Sequence, residues 1–373
     1  MEWWSIGVGF CTPIFQSDIC GQLKNVEKLK ILILKPSSLG DVVHALPVLR
    51  LLKLHQPHSE IFWWLESSLV PLLADDPDIA GIFSFQRKSW SASSNWAQHF
   101  DCVRRMRRER FDLAIDLQGL ARSGLFTWLA NAETSIGLDN PREGAREGAR
   151  LYYDVLTPRC AAGTHAVDRY LAVLPQLGVP VHEKFQWLPE HPQIAAQVRE
   201  KWQSDSARWI ALLPGARWNN KRWPVENFAE VVRGLSFAQP GMKFVILGGN
   251  ADCALGKMVA SANPARCLDL TGQTSLLEML ECLRLSELVI TNDTGPMHIA
   301  AALRKPIVSL FGPTDPTGTG PYGQQEWVLQ TRGLSCVPCM KSTCAYHEPL
   351  ACLRAITPAM VCEKALQRLN HSR

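Results

Sequence analysis

One segment of this sequence holds residues that could bind a phosphate group. Residues 287–312 read ELVITNDTGPMHIAAALRKPIVSLFG, with β-branched apolar runs on both sides of an alanine-rich stretch of helical length. This pattern predicts a strand, a helix and a second strand. Pro296 would occupy the first helical position, and the amides of Gly295, Met297 and His298 would face the end of the first strand. Such a helix start suits a phosphate or diphosphate, although an ordinary strand–helix crossover would look the same.

A second segment offers a carboxylate at the start of another helix. The predicted strand Lys30–Leu34 is followed by KPSSLGD and then by the apolar-periodic run VVHALPVLRLLKLH. Pro36 and Gly40 favour a tight turn, and Asp41 falls at or just before the helix start, where the helix dipole favours a carboxylate. From spacing alone, Asp41 is predicted to cap this helix.

These two segments belong to a longer alternation of strands and helices, which predicts parallel doubly wound sheets whose ligands gather at the carboxyl ends of strands. The alternation stops near Pro189 and restarts at Trp209, which predicts two domains, 29–188 and 189–373, with Pro189–Gln193 as the linker. Residues 1–28, which precede the first predicted strand, are predicted to be an extension outside the fold. The predicted strands are Lys30–Leu34, Ile61–Leu65, Gly81–Phe85, Leu113–Leu117, Trp209–Leu213, Lys243–Leu247, Leu288–Ile290 and Ile307–Phe311. The predicted helices include His165–Leu177, Val225–Leu235, Leu276–Leu285 and Thr357–Leu369.

Composition excludes several classes of protein. The chain has 373 residues, 46% hydrophobic and 20% charged, with a net charge of +4, which fits a folded globular protein and argues against general disorder. Twelve cysteines in a long chain without a convincing export signal favour a reduced, cytoplasmic protein. No run reaches the length of a transmembrane helix, so any membrane contact is expected to be peripheral.

Five arginines lie between positions 104 and 110 in the sequence RRMRRER. A solvated helix face accounts for such a run. Contact with anionic lipid or with a substrate phosphate is the alternative.

Four cysteines near the end of the chain follow the spacing C-x2-C-x4-C-x7-C, at Cys336, Cys339, Cys344 and Cys352. Thiolates this close could hold a structural zinc ion. Reduced thiols or one labile disulfide also account for them, because the second pair does not repeat C-x2-C. The sequence predicts no catalytic metal.

The motifs together resemble one family. KPSSLGDVVHALPVL, DLQGLARSG, NNKRWP and NDTGPMHIAAAL with SLFGPTDP occur in this order from about Lys30 to Leu369, and they resemble the lipopolysaccharide heptosyltransferases of glycosyltransferase family 9. The resemblance implies a GT-B fold, in which two Rossmann-like doubly wound domains face each other across a cleft. It also implies metal-independent, inverting transfer of a heptose from ADP-heptose to the inner core of lipopolysaccharide, on Kdo-lipid A or its heptosylated form.

The resemblance also implies roles for individual residues. Asp41 becomes the general base that takes the proton of the acceptor hydroxyl, and Lys221 contacts the donor diphosphate. No cofactor and no nucleic acid is expected, and the enzyme would work on the cytoplasmic surface of the inner membrane. The remaining donor residues are Asp293, Thr294, Gly295, His298, Gly248 and Gly249, and the acceptor residues are Ser38, Gly40, Arg87, Lys88, Gln118 and Arg122.

Three alternatives stay open at this point. The first motif looks like heptosyltransferase I and the cysteine-rich tail like heptosyltransferase II, so the acceptor is not decided. A nucleotide-sugar epimerase of the same fold would need no second sugar. A non-catalytic relative would bind the nucleotide sugar only, but Asp41, Lys221, Asp293 and His298 are all present.

Overall fold

The chain folds into two six-stranded parallel β-sheets, which share no strand within the part of the chain that the computed structural model describes, residues 28–86, 96–139, 146–202 and 208–371. The first sheet contains β1 (Lys30–Leu34), β2 (Glu60–Glu66), β3 (Gly81–Phe85), β4 (Leu113–Asp116), β5 (Thr134–Gly137) and β6 (Val155–Leu156). The second contains β7 (Arg208–Leu213), β8 (Met242–Ile246), β9 (Cys267–Asp269), β10 (Leu288–Asn292), β11 (Ile307–Phe311) and β12 (Val328–Gln330). This is the predicted α/β class with two doubly wound sheets.

Helices connect the strands, as parallel pairing requires. In the first half they are α1 (Leu39–His55), α2 (Trp96–Glu109), α3 (Ala121–Ala130), α4 (Ala166–Leu171) and α5 (Pro192–Lys201). In the second half they are α6 (Val225–Ala238), α7 (Cys253–Ala260), α8 (Leu276–Leu285), α9 (Gly295–Ala302), α10 (Pro316–Thr319), α11 (Ala351–Arg354) and α12 (Pro358–His371). Short 3₁₀ turns complete the connections, among them Ser67–Leu72, Arg146–Tyr152, Pro175–Leu177 and Asn219–Lys221.

Both sheets have the same strand order. The order is β3-β2-β1-β4-β5-β6 in the first and β9-β8-β7-β10-β11-β12 in the second. The direction of winding reverses between β1 and β4 in the first sheet and between β7 and β10 in the second. Ligands of open α/β sheets bind at such a switch point, beyond the carboxyl ends of the strands. The sites of the two halves are therefore expected beyond β1 and β4 and beyond β7 and β10.

The strands are apolar because helices cover both faces of each sheet. In β1, Ile33 lies in register with Trp63 of β2 and Ile115 of β4, and all three side chains are buried. The central strands β10 and β11 are buried along their full lengths. This continuous burial explains why runs of β-branched residues marked these strands in the sequence.

The two halves meet where α1 packs against α9. A Cβ atom at Gly40 in α1 would lie 2.3 Å from Cδ2 of His298, and one at Gly295 would lie 3.0 Å from Cδ2 of Leu39. Each helix start thus uses a glycine to approach the other, a contact that no larger residue could make without displacing its neighbour.

Several sequence predictions need correction. The helix predicted over His165–Leu177 is α4 followed by a separate 3₁₀ turn, and the proposed linker Pro189–Gln193 overlaps α5, which starts at Pro192 because proline suits the first helical turn. Strands β5, β6, β9 and β12 were not predicted, since none of them contains a run of three apolar residues.

The predicted domain boundary at residue 189 stays a prediction, and nearly all of the predicted extension 1–28 lies outside the described residues. Within the described ranges, no helix combines the length and the apolar character needed to cross a bilayer.

A buried ion pair fixes α1 to the segment after the Ser67–Leu72 turn. Arg50 donates from Nη1 to Asp76 Oδ1 and to Asp78 Oδ2, both at 2.6 Å, and from Nε to the carbonyl of Trp187 at 3.1 Å. The guanidinium of Arg50 is 8% exposed and the carboxylate of Asp76 is fully buried.

We expect Asp76→Ala to lower the free energy of unfolding by about 3 kcal/mol, because a buried guanidinium would lose its main partner. Urea unfolding followed by tryptophan fluorescence measures this. Glu287→Ala is the control: Glu287 pairs with Arg208 at 2.8 Å with both side chains about one third exposed, so its loss should cost less than about 1 kcal/mol. Equal losses in the two variants would contradict the structural role of the Arg50 cluster.

Candidate active site

A cavity of ≈ 720 Å³ opens between the N-terminal ends of α1 and α9, at the switch points of the two sheets. Residues of both halves line it. From the first half these are Ser37, Ser38, Leu39, Gly40, Asp41, His44, Glu66, Ser68 and Leu69, and from the second half Arg217, Trp218, Lys221, Asp293, Thr294, Gly295, Pro296, His298 and Thr319. The structure thus brings seven of the predicted site residues, together with Asp41, around one space: Ser38, Gly40, Lys221, Asp293, Thr294, Gly295 and His298.

Asp41 is the third residue of α1, slightly further into the helix than the sequence indicated. Its Oδ2 accepts hydrogen bonds from the backbone N–H of Ser38 at 2.9 Å and from the Ser38 hydroxyl at 2.6 Å. Ser38 and not Asp41 is the N-cap residue, so the prediction from spacing was wrong in position; Asp41, as the third helical residue, accepts from the N-cap N–H as the acidic residue of a capping box does. Its Oδ1 accepts no hydrogen bond from the described residues, so one carboxylate oxygen is held while the other is open to a ligand in the cavity.

The electrostatic surroundings of Asp41 keep it ionised. Burial favours the neutral carboxyl, but the Lys35 ammonium, the two Ser38 hydrogen bonds and His298 outweigh burial and lower the pKa of Asp41 below its usual value. Lys35 is only 2% exposed; its Nζ donates to the carbonyl of Leu117 at 2.9 Å and lies 4.3 Å from the ring centroid of Tyr170. A carboxylate that is charged at neutral pH can accept a proton.

Three histidines meet where the two halves join. His44 Nε2 lies 2.8 Å from His298 Nδ1, and the His44 and His165 rings are 5.1 Å apart. Burial lowers the pKa of His298 to about 4 against the opposing Asp293 and Asp41 carboxylates, and burial with the neighbouring histidines lowers the pKa of His44 well below its usual value. At neutral pH one neutral imidazole therefore donates to the other, and His298 reaches the cavity without a charge.

His165 also links the halves. It starts α4, where its Nδ1 accepts from the backbone N–H of Val167 at 3.2 Å, so that Nε2 carries the proton and donates to the carbonyl of Gly320 at 3.0 Å. Nearby, the hydroxyl of Tyr322 donates to Asp168 at 2.7 Å. The histidine cluster is thus bordered by further hydrogen bonds between the two halves.

Lys221 and Asp293 form an ion pair on the opposite wall from Asp41. Lys221 Nζ lies 2.6 Å from Asp293 Oδ2 and 4.7 Å from the ring centroid of Trp218, and Asp293 also accepts from the Thr314 hydroxyl at 2.5 Å. Lys221 comes from the connection after β7 and Asp293 from the residue after β10, so the switch point of the second sheet brings them together. Together with Arg217, Lys221 gives this wall two cations.

The N-terminus of α9 forms the floor beside this pair. Thr294 is the N-cap residue and the helix begins at Gly295, one residue before the predicted start. The amide of Met297 donates to the carbonyl of Thr294 at 3.1 Å, so the prediction that this amide is free for a ligand was wrong. The amides of Gly295 and His298 remain candidates.

Gly248 and Gly249 do not line the cavity. Their side of the sheet is occupied by Asp252, whose Oδ2 accepts from the backbone N–H of Gly249 at 3.0 Å, and a Cβ at Gly248 would lie 2.9 Å from that of Asp252. Local packing thus explains these glycines, and a donor contact there stays a prediction.

Two predicted acceptor residues lie beyond the cavity lining. Gln118 follows the fully buried Asp116, whose Oδ1 accepts from the Gln118 N–H at 2.7 Å, and Arg122 is exposed in the first turn of α3. Arg87 and Lys88 lie outside the described residues. The structure therefore supports Ser38 and Gly40 as cavity residues and leaves the other acceptor contacts as predictions.

The four cysteines near the end of the chain line one small cavity of ≈ 20 Å³. Hydrogen bonds from the backbone N–H groups of Leu350 and Tyr346 lower the pKa of the Cys344 thiol, while burial raises that of Cys352. In the described part of the chain, however, no three histidine, cysteine or acidic side chains are arranged to hold a metal ion. The cysteines converge, but not as a formed zinc site.

Sequence reasoning missed several members of the site. Lys35 stands directly after β1, and Arg217 and Trp218 precede Lys221 in the same connection. Their positions at strand ends were a usable signal. Glu66, the last residue of β2, carried the same signal. His44 gave none, because its approach to the cavity depends on how the two halves pack.

Comparisons with known proteins agree with this geometry. The model of glycosyltransferase family 9 (heptosyltransferase) matches residues 100–349. Lipopolysaccharide heptosyltransferase 1 of Pseudomonas aeruginosa is 30% identical over 86% of this chain and 88% of its own length, and lipopolysaccharide heptosyltransferase 2 of Salmonella typhimurium is 28% identical over 90% and 97%. The solved structure of the Escherichia coli heptosyltransferase WaaC with ADP has a TM-score of 0.73 and 25% identity, covering 91% of this chain and all of that chain.

The shared strand order of the two facing sheets is the GT-B architecture of that solved structure, and the family model covers about two thirds of the chain. The chain belongs to glycosyltransferase family 9, the heptosyltransferase family.

Proposed function

We propose that this protein transfers a heptose from ADP-heptose to the inner core of lipopolysaccharide, with inversion at the anomeric carbon. The observation that carries the proposal is that one cavity has an ionised carboxylate, Asp41, on one wall and two cations, Lys221 and Arg217, on the other. A glycosyl transfer needs this division, because a proton leaves the acceptor as negative charge grows on the departing diphosphate.

The proposed reaction is a single displacement. The acceptor hydroxyl oxygen attacks the anomeric carbon of the heptose, the bond from that carbon to the ADP oxygen breaks, and ADP leaves with the bonding electrons. Asp41 Oδ1, which is open to the cavity, takes the hydroxyl proton. Lys221 and the amides at the start of α9 stabilise the charge that develops on the diphosphate.

Asp293 acts by holding Lys221 in place. Its Oδ2 contacts both Lys221 Nζ at 2.6 Å and the Thr314 hydroxyl at 2.5 Å, so the carboxylate is itself fixed from the far side. A lysine held in this way loses less side-chain freedom when it binds a diphosphate.

The acceptor is proposed to be a lipid A–Kdo type glycan, or its heptosylated form, met at the cytoplasmic face of the inner membrane. Relatives named for two different heptosyl transfers have similar identity to this chain, 30% and 28%, so they do not select one acceptor. Purified protein given ADP-heptose with Kdo-lipid A, and separately with its monoheptosylated form, decides between them from the product mass. Failure with both acceptors would contradict the proposal.

The epimerase alternative loses support, because the family model and the relatives are heptosyltransferases. A purely binding protein would have no need for an ionised carboxylate facing the donor wall.

For the base, we expect Asp41→Asn to reduce kcat by roughly 10²-fold or more while ADP binding stays close to that of the wild type. The amide oxygen of asparagine can still accept from Ser38, the N-cap residue, so α1 should remain folded. Ser38→Ala is the control, since it removes one hydrogen bond to the carboxylate but keeps the base, and its loss of rate should be much smaller. Steady-state kinetics and ADP calorimetry measure the two effects, and full activity in Asp41→Asn would leave Asp41 a helix cap only.

For the donor wall, we expect Lys221→Ala to lower kcat/KM for ADP-heptose about 10²-fold and to leave inhibition by adenosine nearly unchanged, because adenosine has no phosphate to lose a contact. Arg222→Ala is a matched control. Arg222 is the next residue, but it donates to the carbonyl of Ala216 at 2.8 Å and does not line the cavity. Unchanged donor kinetics in Lys221→Ala would remove this lysine from the site.

For metal dependence, we expect transfer to survive excess chelator, since Lys221, Arg217 and the helix start supply the positive charge that a metal would otherwise provide. Turnover with and without chelator, measured at equal enzyme and substrate concentrations, tests this. A loss that magnesium or manganese restores would mean that the diphosphate is handled by a metal instead.

A further inference from the structure

Helices α2 and α3 form a layer on the side of the first sheet that faces away from α1. Phe111, Phe126, Cys102 and Met106 bury the inner side of this layer against the sheet. Among the described residues, neither α2 nor α3 makes an extensive contact with a helix or strand of the second half.

The outer side of α2 combines arginines with an exposed aromatic ring. Cys102 and Met106 face inward, whereas Phe100, Arg104 and Arg108 recur at intervals of four residues on the exposed side. Phe100 is 72% exposed, which is unusual for a side chain of its size and apolar character.

Helix α3 extends the same surface. Leu125 and Trp128 are spaced three residues apart on its exposed side, and Trp128 is 62% exposed. The two helices pack against each other, and Arg107 donates to the side chain of Asn131, the residue after α3, at 3.4 Å. We call this surface the outer basic face; it comprises Phe100, Arg104, Arg107, Arg108, Leu125 and Trp128.

Among the described residues, no carboxylate pairs with the arginines of this face. The two carboxylates of α2 are engaged elsewhere, Asp101 with Arg105 at 3.3 Å and Glu109 with Lys30 at 2.8 Å. Within the described residues, Arg104, Arg107 and Arg108 form no ion pair, and they line an open groove of ≈ 410 Å³ beside Phe100. A solvated helix face accounts for the arginines but not for the large apolar side chains among them.

We propose that the outer basic face docks the protein on an anionic lipid bilayer. The guanidinium groups bind headgroup phosphates bidentately, while Phe100, Leu125 and Trp128 enter the interfacial layer, where amphipathic and aromatic groups are stable. Each arginine near an anionic surface adds to the attraction, so charge and apolar burial together give reversible attachment.

The position of the face suits the reaction. α2 and α3 begin after the carboxyl ends of β3 and β4, at the same edge of the sheet where Asp41 follows β1. A bilayer along this face would place a membrane-anchored acceptor beside the cavity. This inference rests on the proposed function for its biological meaning, but the binding itself is measured without donor or acceptor.

The test is sedimentation of the full chain with vesicles of phosphatidylcholine, with and without phosphatidylglycerol, at low and high salt. The wild type should bind only the anionic vesicles and should be released by salt. Phe100→Ser combined with Arg104→Glu should reduce the partition coefficient at least about tenfold.

Helix α6 offers a matched control, because Arg233 and Phe237 are also exposed and four residues apart, and Phe237 is 90% exposed. Arg233→Glu combined with Phe237→Ser makes the same changes in charge and apolar area on the second half of the chain. This variant should bind vesicles like the wild type. Circular dichroism confirms that both variants are folded.

The other outcomes overturn the proposal. Equal loss in both variants would show a general charge effect, and absence of wild-type binding would exclude docking. If the α2 variant instead changes only the sedimentation coefficient of the protein, the face is an interface between two copies. Transfer to a deacylated, water-soluble acceptor should be unchanged in the α2 variant, so failure of docking is distinguishable from failure of the transferase function.

Discussion

The close approach of two helix starts is the contact on which the rest of the site depends. Gly40 lies against His298, and Gly295 lies against Leu39, so α1 of the first half and α9 of the second half meet without intervening side chains. Both helices follow the strands at which their sheets change direction of winding. Because of this contact, the switch-point sites of the two sheets become the opposite walls of one cavity. Alone, each site would hold only part of a substrate.

This contact also explains how the charges in the cavity are arranged. Lys35 lies beneath Asp41 and keeps the carboxylate ionised, whereas Asp293 balances Lys221 on the other wall. His44 and His298 are kept neutral by burial, so they add no positive charge to the cavity at neutral pH. Burying the Lys35 ammonium costs stability, and in the proposed reaction the benefit is functional, because its charge keeps Asp41 deprotonated when the acceptor arrives.

Much of this could be predicted from sequence, for a physical reason. Parallel strands inside a sheet are covered on both faces, so β1 and β11 are apolar runs, and their observed ends match the predicted ones. The ends of the edge strand β3 also match, although it is buried only in part. Asp293 directly follows β10, and Asp41 and Lys221 lie in the connections after β1 and β7, but the roles of all three were predicted from the resemblance to the family. Strands β5, β6, β9 and β12 contain no run of three apolar residues, so they gave no pattern. Pro192 was taken for part of a linker, although proline also suits the first turn of a helix.

What escaped prediction depends on contacts between distant parts of the chain. His44 lies on the second turn of a helix whose pattern is apolar, and its partner His298 is 254 residues away. Gly248 and Gly249 look like a nucleotide loop until Asp252 is seen to fill the space they leave. A glycine in a sequence indicates only that another group can come close to the backbone at that position. The tertiary packing determines whether that group is a ligand or a side chain such as that of Asp252.

The first sheet shows the same principle on a larger scale, because we propose different tasks for its two faces. Helix α1 on one face is buried over most of its length and carries the base into the cavity, while α2 and α3 on the other face expose arginines beside large apolar side chains. In the proposed reaction one substrate diffuses freely and the other is anchored in a membrane. The anchored substrate must come to the first half, where the base is, and the soluble nucleotide sugar to the second. A sheet with a catalytic face and a lipid-binding face satisfies both demands at once, since its carboxyl edge is shared by the two helix layers.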